Sequence, residues 1–317
     1  MTERTVAVLA GGLSHERDVS LRSGRRVSAA LREAGLGVEE WDADASLVTR
    51  LLKHRPDAVI VALHGGAGED GAVQSVLEML DVPFVGADPR GCRRAWDKPT
   101  AKGELARAGL ATPDWIALPH ATFRDLGAQA VLDALVHHLG LPLILKPDQG
   151  GSALGAQVVR DPTELPAAMV GCLAYADTVL AERYVEGVEV AVTVLEGGDG
   201  PRALPAVEIE PESGVYDYAA RYTAGLTTFH APARLDGAAA AAVGELAVAA
   251  HRLLGLRDVS RTDAVVTEAG VAHFLEVNVA PGLTETSLLP MALEADGTDL
   301  GSAFGALVER AVTRCGR

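Results

Sequence analysis

The sequence predicts an α/β protein, with a doubly wound unit of buried strands at its N-terminus and hairpin-built sheet beyond it. Three observations predict this. The apolar run Thr5–Ala10 meets Gly11-Gly12 and leads into an amphipathic stretch over residues 21–34, ended by Gly35, which is the strand, turn, helix opening of such a unit. Apolar runs at 58–63 and 82–85 supply further buried strands, so residues 1–92 form one α/β unit. Past residue 140, short strand-like runs alternate with Gly-rich turns, and no internal repeat, low-complexity tract or long linker interrupts them.

Each element follows from its residues. Ser20 stands before the amphipathic stretch as a helix start. The turn GGLSHE lacks the GxGxxG spacing, which rejects a dinucleotide fingerprint. His64-Gly65-Gly66-Ala67-Gly68-Glu69-Asp70-Gly71 follows the 58–63 run at its C-terminal end, where ligands gather in open α/β sheets. Ordinary loop polarity accounts for His64 and Glu69 equally well. Asp97-Lys98 opens a helix reaching Gly109, residues 128–139 form another stopped by Gly140, and 141–147 is a strand delivering Lys146. The loop Asp148-Gln149-Gly150-Gly151-Ser152-Ala153-Leu154-Gly155 comes directly after it. A strand-borne lysine beside backbone N–H groups suits a polyphosphate, and a plain hairpin turn suits the loop taken alone. Neither the P-loop spacing nor the kinase HRD and DFG motifs occur.

Runs at 178–184, 188–194 and 205–210 read as strands, with Glu182 and Glu189 flanking the turn Glu186-Gly187. They could hold a base and ribose hydroxyls, or lie solvated on an exposed hairpin. Residues 215–225 are polar, aromatic and turn-rich, as lids often are. Residues 238–255 are Ala-rich and helical, and are expected to pack on the last sheet. In 260–290, one strand carries Asp263, Glu268-Ala269-Gly270 turns the chain, and residues 271–277 return with Glu276 just ahead of Asn278. Glu276 and Asn278 are two apart and share a face, and an antiparallel pairing sets Asp263 beside them. These hard oxygen donors suit Mg²⁺. A polar hairpin with solvated acids is the plainer alternative.

Bulk properties narrow the class. The chain has 317 residues, enough for two or three domains, and is 48% hydrophobic and 22% charged. A formal net charge of −15 argues against a surface that tracks nucleic acid. Cys92, Cys172 and Cys315 are scattered, without disulfide or zinc spacing. No signal-peptide pattern and no membrane-length apolar run occurs, so a cytoplasmic protein without a membrane partner is expected.

Taken together, the motifs match a family in order: GGLSHERDVSLRSG (11–24), HGGAGEDGAVQ (64–74), DK (97–98), LPLILKPDQGGSALG (141–155), the pair Glu182 and Glu189, YDYAARY (216–222), RTD (261–263) and EVNVAPGLTETSLLP (276–290). Over nearly its whole length the chain resembles the D-alanine–D-alanine ligases of the ATP-grasp superfamily. The resemblance implies an N-terminal α/β domain (1–92) and a two-domain ATP-grasp part of α+β character, its central domain at 93–184 and its C-terminal domain at 185–317. It implies ATP and two Mg²⁺ ions, with Mn²⁺ as a substitute, D-alanine as substrate, no nucleic acid, and a homodimer making peptidoglycan precursor.

By the same resemblance Lys98, Lys146, Gly151 and Arg221 meet the phosphates, Glu182 the adenine with the backbone of Tyr184 and Val185, and Glu189 the ribose. Asp263, Glu276 and Asn278 hold the metal. Glu16 meets the first D-alanine and joins Ser152 and Tyr222 in a hydrogen-bonded trio. Val19 and His64 line that pocket. Arg261 and the Gly282 N–H stabilise the oxyanion, and Ser287 with the Leu288 N–H grips the second carboxylate. Two departures stand out: Arg221 replaces a usual lysine, and Ala153 a usual serine. Tyr222 favours an amino acid as acceptor. The rivals are a ligase using D-serine or an antibiotic-pathway amino acid, and a nucleotide-binding regulator without turnover.

Overall fold

The computed structural model describes residues 4–223 and 225–316, apart from the side chain of Tyr222. Three separate sheets form among these residues. The first is parallel, in the order Gly37–Asp42, Thr5–Ala10, Ala58–Val61, Phe84–Val85. Its central strands are buried on both faces, as continuous apolar runs require. Val6, Val8 and Ile60 meet Val27 and Leu31 of the helix Arg17–Glu33, and Phe304 and Leu307 of the C-terminal helix Leu300–Cys315. Ala7, Leu9 and Val59 point the other way, to Leu51 and Leu77.

The first helix begins at Arg17, not after Ser20. Ser20 is not its cap. The Ser20 hydroxyl is buried, accepts from the Gly11 N–H at 2.9 Å and donates to the Ala62 carbonyl at 2.7 Å, so it ties the ends of two strands together. The strand expected over 82–85 shortens to Phe84–Val85, because the Val82 N–H closes the preceding helix on Leu77 and Pro83 has no N–H to give. Sequence reading missed the edge strand Gly37–Asp42, whose two adjacent glutamates are exposed.

The second sheet is antiparallel: Trp115–Pro119, Thr178–Arg183, Leu143–Pro147, Gln157–Val159. Helices His120–Leu126, Ala128–Leu139 and Leu165–Leu173 cover one of its faces. The third, also antiparallel, runs Thr227–His230, Val207–Pro211, Val188–Gly197, Val259–Val266, Ala272–Asn278, with Gly200–Ala203 beside Val188–Gly197. The Ala-rich helix Gly237–Leu253 packs on this sheet, as expected, with Val243, Ala247 and Ala250 against Val190, Val192 and Val194. The open faces of the second and third sheets enclose a cleft, and the loops after the parallel strands close one end of it. No helix among the described residues is long and apolar enough to cross a membrane.

The C-terminal helix approaches the first helix closely at Gly301, where a Cβ would run into the Ala30 carbonyl. Gly301→Ala should therefore destabilise the fold by about 1–3 kcal/mol through overpacking. Gly305→Ala, whose Cβ would sit 3.8 Å from Leu36, should be neutral or stabilising. Thermal melts of the two variants check this; equal melting temperatures would contradict it.

Candidate active site

The central hairpin forms the floor. Val259–Val266 is buried throughout, and its antiparallel register sets Asp263 opposite Glu276 and Arg261 opposite Asn278, with a bulge after Asp263. The expected meeting of acids across the hairpin is thus present. Arg261 and Asp263, given to separate tasks, are two apart on a strand and share a face. The Arg261 guanidinium donates to both Asp263 oxygens at 2.7 and 2.8 Å. Each carboxylate oxygen keeps a second lone pair for another ligand. The Asn278 side-chain oxygen accepts from the Ala280 N–H at 2.7 Å.

Lysines face these acids. Asp97 caps the helix Lys98–Arg107 by accepting from the Thr100 N–H, which aims Lys98 into the cleft. Lys98 Nζ donates to the Gly150 carbonyl at 2.8 Å and lies 3.6 Å from Glu276. Burial lowers the Lys98 pKa, and Glu276 opposes that shift. For Glu276 burial acts upward, but the fields of Lys98, Lys146, Arg221 and Arg261 outweigh it and hold the carboxyl at about 2. Glu182, completely buried, has Lys146 at 3.0 Å from one oxygen and Lys102 at 3.2 Å from the other. Burial raises Glu189 to about 7.

The Gly-rich loop bends over this floor. Gly150, Ser152, Ala153 and Gly155 all have positive φ, at 107°, 55°, 54° and 73°. Successive left-handed residues turn backbone N–H groups into a common concavity, the arrangement that receives anions. Ser152 donates to Glu16, joining the loop to the parallel unit. Tyr222, expected as their third member, has its side chain outside the described residues. Arg221 stacks over the Tyr216 ring at 4.2 Å, and its buried Nε has no hydrogen-bond partner among the described residues. That orphaned donor fits an anion.

A cleft of about 480 Å³ brings together Lys98, Lys146, Gly151, Glu182, Tyr184, Val185, Glu189, Arg221, Asp263 and Glu276. A smaller cavity of about 110 Å³ adjoins it, lined by Glu16, Val19, His64, Ser152, Arg221, Arg261, Asn278, Gly282, Ser287 and Leu288. A third, much smaller cavity is lined by Lys98, Gly151 and Glu276 from the first and by Ser152, Arg261 and Asn278 from the second. The residues expected to meet nucleotide and those expected to meet amino acid therefore sort largely into two adjoining chambers, with Arg221 in the wall of both.

Hydrogen bonds order the smaller chamber. His64 Nδ1 lies 3.0 Å from the Ala280 carbonyl, so this nitrogen carries the proton, and Nε2 accepts from the Ser23 hydroxyl at 2.7 Å. Ser23 accepts in turn from the Leu283 N–H at 3.0 Å. Burial lowers the His64 pKa, which suits this neutral tautomer. The relay clamps both sides of Gly282. A Cβ at Gly282 would stand 2.7 Å from the Ser287 Oγ. Ser287 occupies the N-cap position of the helix Leu288–Asp296 with its hydroxyl turned to Thr284, and Ser287 and Leu288 bring that helix N-terminus to the chamber wall, a placement that favours a carboxylate.

Sequence reading left Lys102 and Glu69 without a role. Lys102 lies four residues after Lys98 and so shares its helical face, a signal that could have found it. Glu69 is buried and lines both smaller cavities. At the root of the 215–225 segment, Glu208, Glu210 and His230 come close enough to share a cation, but Arg234 already donates to both glutamates.

Two antiparallel sheets closing on a charged cleft, with a smaller chamber behind it, have the architecture of an ATP-grasp ligase. The family models support the class. D-ala D-ala ligase N-terminus matches residues 39–87 and D-ala D-ala ligase C-terminus matches 105–312. A D-alanine--D-alanine ligase from Anaeromyxobacter sp. (strain K) is 41% identical over 98% of this chain and 96% of its own. Among solved structures, the D-alanine--D-alanine ligase from Bacillus anthracis complexed with ATP superposes with a TM-score of 0.83 at 28% identity, covering 100% of this chain and 99% of that one. A D-Ala:D-Ser ligase from Enterococcus faecalis gives 0.83 at 26% identity over 98% of this chain and 100% of that one. The chain belongs to the D-alanine–D-alanine ligase family.

The Glu69 carboxyl supplies a test of the electrostatics. Burial, reinforced by Glu16, raises it from 4.5 to about 8. The folded chain then keeps a proton that the unfolded chain releases, so stability should fall from pH 4.5 to about 8 and level off above. Glu69→Gln should melt with the wild type near pH 4.5 and exceed it progressively, by on the order of a few kcal/mol at pH 8. Melts across this range check it; a constant gap would contradict it.

Proposed function

We propose that this chain joins two D-alanines into D-alanyl-D-alanine for peptidoglycan, using ATP and releasing ADP and phosphate. The observation that carries the reading is that the two chambers share Arg221 in their walls, with a small cavity lined by Lys98, Arg261, Glu276 and Asn278 between them. A phosphoryl donor in one can reach a carboxylate in the other there. The carboxylate of the first D-alanine attacks the γ-phosphorus, ADP departs, and an acyl phosphate results. The amine of the second D-alanine attacks that carbonyl, loses a proton, and phosphate departs as the peptide bond forms. Phosphorylation is needed because a carboxylate is a poor electrophile.

The residues divide this work. Lys98, Lys146, Arg221 and the N–H groups around Gly151 take the phosphates. Glu182, Tyr184, Val185 and Glu189 take adenine and ribose. Glu16, Val19 and His64 seat the first D-alanine, with Ser152 and Tyr222 holding Glu16. Arg261 and the Gly282 N–H face the developing oxyanion, and Ser287 with Leu288 receives the second carboxylate. Asp263, Glu276 and Asn278 are hard oxygen donors suited to Mg²⁺, or Mn²⁺, which would neutralise phosphate charge when bound. Arg261 keeps Asp263 in place until then. Domains at 1–92, 93–184 and 185–317, a homodimer and a cytoplasmic site complete the proposal; each domain holds one sheet.

Phosphate release should require D-alanine and fail with L-alanine, and the product should remain D-alanyl-D-alanine when D-serine or D-lactate competes. Release indifferent to D-alanine would overturn the reading. Arg261→Lys keeps the charge but loses the paired donors, and should cut kcat by about 100-fold while nucleotide affinity changes little. Unchanged kcat would remove Arg261 from the oxyanion role.

A further inference from the structure

Lys102 is a completely buried lysine that lines none of the cavities described above. Its ammonium cannot reach a phosphate. It donates to the Thr112 hydroxyl at 2.5 Å, lies 3.2 Å from Glu182 and sits 5.1 Å over the Trp115 ring. The Thr112 hydroxyl in turn donates to the Phe274 carbonyl at 2.8 Å. Trp115 is the strand neighbour of Glu182. The ammonium is thus fixed from three sides, with the Glu182 carboxylate as its ionic partner. Burying a lysine completely is costly unless its charge is matched, so Lys102 and Glu182 form one unit.

Glu182 differs from its partner in facing the cleft. Neither of its oxygens has a hydrogen-bond partner among the described residues, although each has an ammonium nearby. Each oxygen, already facing one ammonium, keeps lone-pair capacity for a further donor. The two ammonium groups are not equivalent. Lys146 borders the cleft and would be shared with a polyphosphate, whereas Lys102 serves Glu182 alone.

We propose that Lys102 selects the nucleotide base through Glu182. As a buried ammonium 3.2 Å away it fixes the Glu182 carboxylate, a group that only accepts hydrogen bonds, in place on its strand. Such a group takes a base bearing an exocyclic amine at carbon 6, as in adenine. It rejects a base with a carbonyl there, because two acceptors would face each other without a proton in a buried site. Lys102 is a positioning residue. This inference rests on the ATP reading above.

The test uses the full chain with ATP and inosine triphosphate, which differ in that amine and carbonyl. Affinities are measured by displacement of a fluorescent ATP analogue, and kcat and KM for both nucleotides are measured beside them. Wild type should favour ATP by about 100-fold or more. Lys102→Met should shrink the preference below about tenfold, chiefly through KM and Kd for ATP, because Glu182 then loses the ammonium that fixes its oxygens toward the base. Lys102→Arg should restore much of the preference. If Lys102→Met does not fold, Lys102→Met/Glu182→Gln removes both buried charges, and its amide, both donor and acceptor, should also accept inosine triphosphate. A full ATP preference in a folded Lys102→Met, or failing that in the double variant, would overturn the inference. Wild type that binds neither nucleotide would instead overturn the reading on which it rests.

Discussion

Two glutamates and three lysines, packed into the seam between two antiparallel sheets, are what the rest of the structure depends on. Lys98 faces Glu276, while Lys146 and Lys102 bracket Glu182. None of these charges is tolerable alone in so enclosed a place; each is retained because an opposite charge lies within 3.0 to 3.6 Å. The pairs also come from different parts of the chain, so they knit it together. Lys98 and Lys102 ride one helix, Lys146 and Glu182 neighbouring strands, and Glu276 the last strand. The same balance makes the cleft receptive. It offers cations to a polyphosphate and carboxylates to a divalent cation, so the two can enter as a matched set.

The parallel unit and the C-terminal helix supply the second chamber. Loops after the first and third parallel strands bring Glu16 and His64 to it, and the segment after the final strand brings Gly282 and Ser287. The relay through His64 and Ser23 fixes that segment against the first helix. Because Leu300–Cys315 lies on the parallel sheet, the last residues of the chain hold its first unit in position against the cleft. The two chambers are thereby aligned by packing distant from both.

Much of this was legible in sequence because it is local. The alternation of a strand places Glu276 and Asn278 on one face, and a short turn makes Asp263 their neighbour; both proved true. Lys146 could be read at the end of its strand for the same reason. What escaped depends on distant pairing. Nothing near Glu182 announces that its partner, Lys102, is eighty residues earlier. Arg17 and Asp42 pin the Gly11-Gly12 turn through an ion pair whose acid sits on the unrecognised edge strand. Ser20 resembles a helix cap in sequence and serves as a strut in space. The pairing of Arg261 with Asp263 was readable from strand alternation, yet the chemistry of the two residues suggested separate tasks.

The central claim is that the cleft is charge-balanced for a nucleotide and a divalent cation together. Calorimetric titration of ATP into the protein, with and without Mg²⁺, tests it most directly. The balance predicts that withholding Mg²⁺ weakens ATP binding by about tenfold or more, because phosphate then meets Asp263 and Glu276 bare. Equal affinity in the two titrations would contradict it.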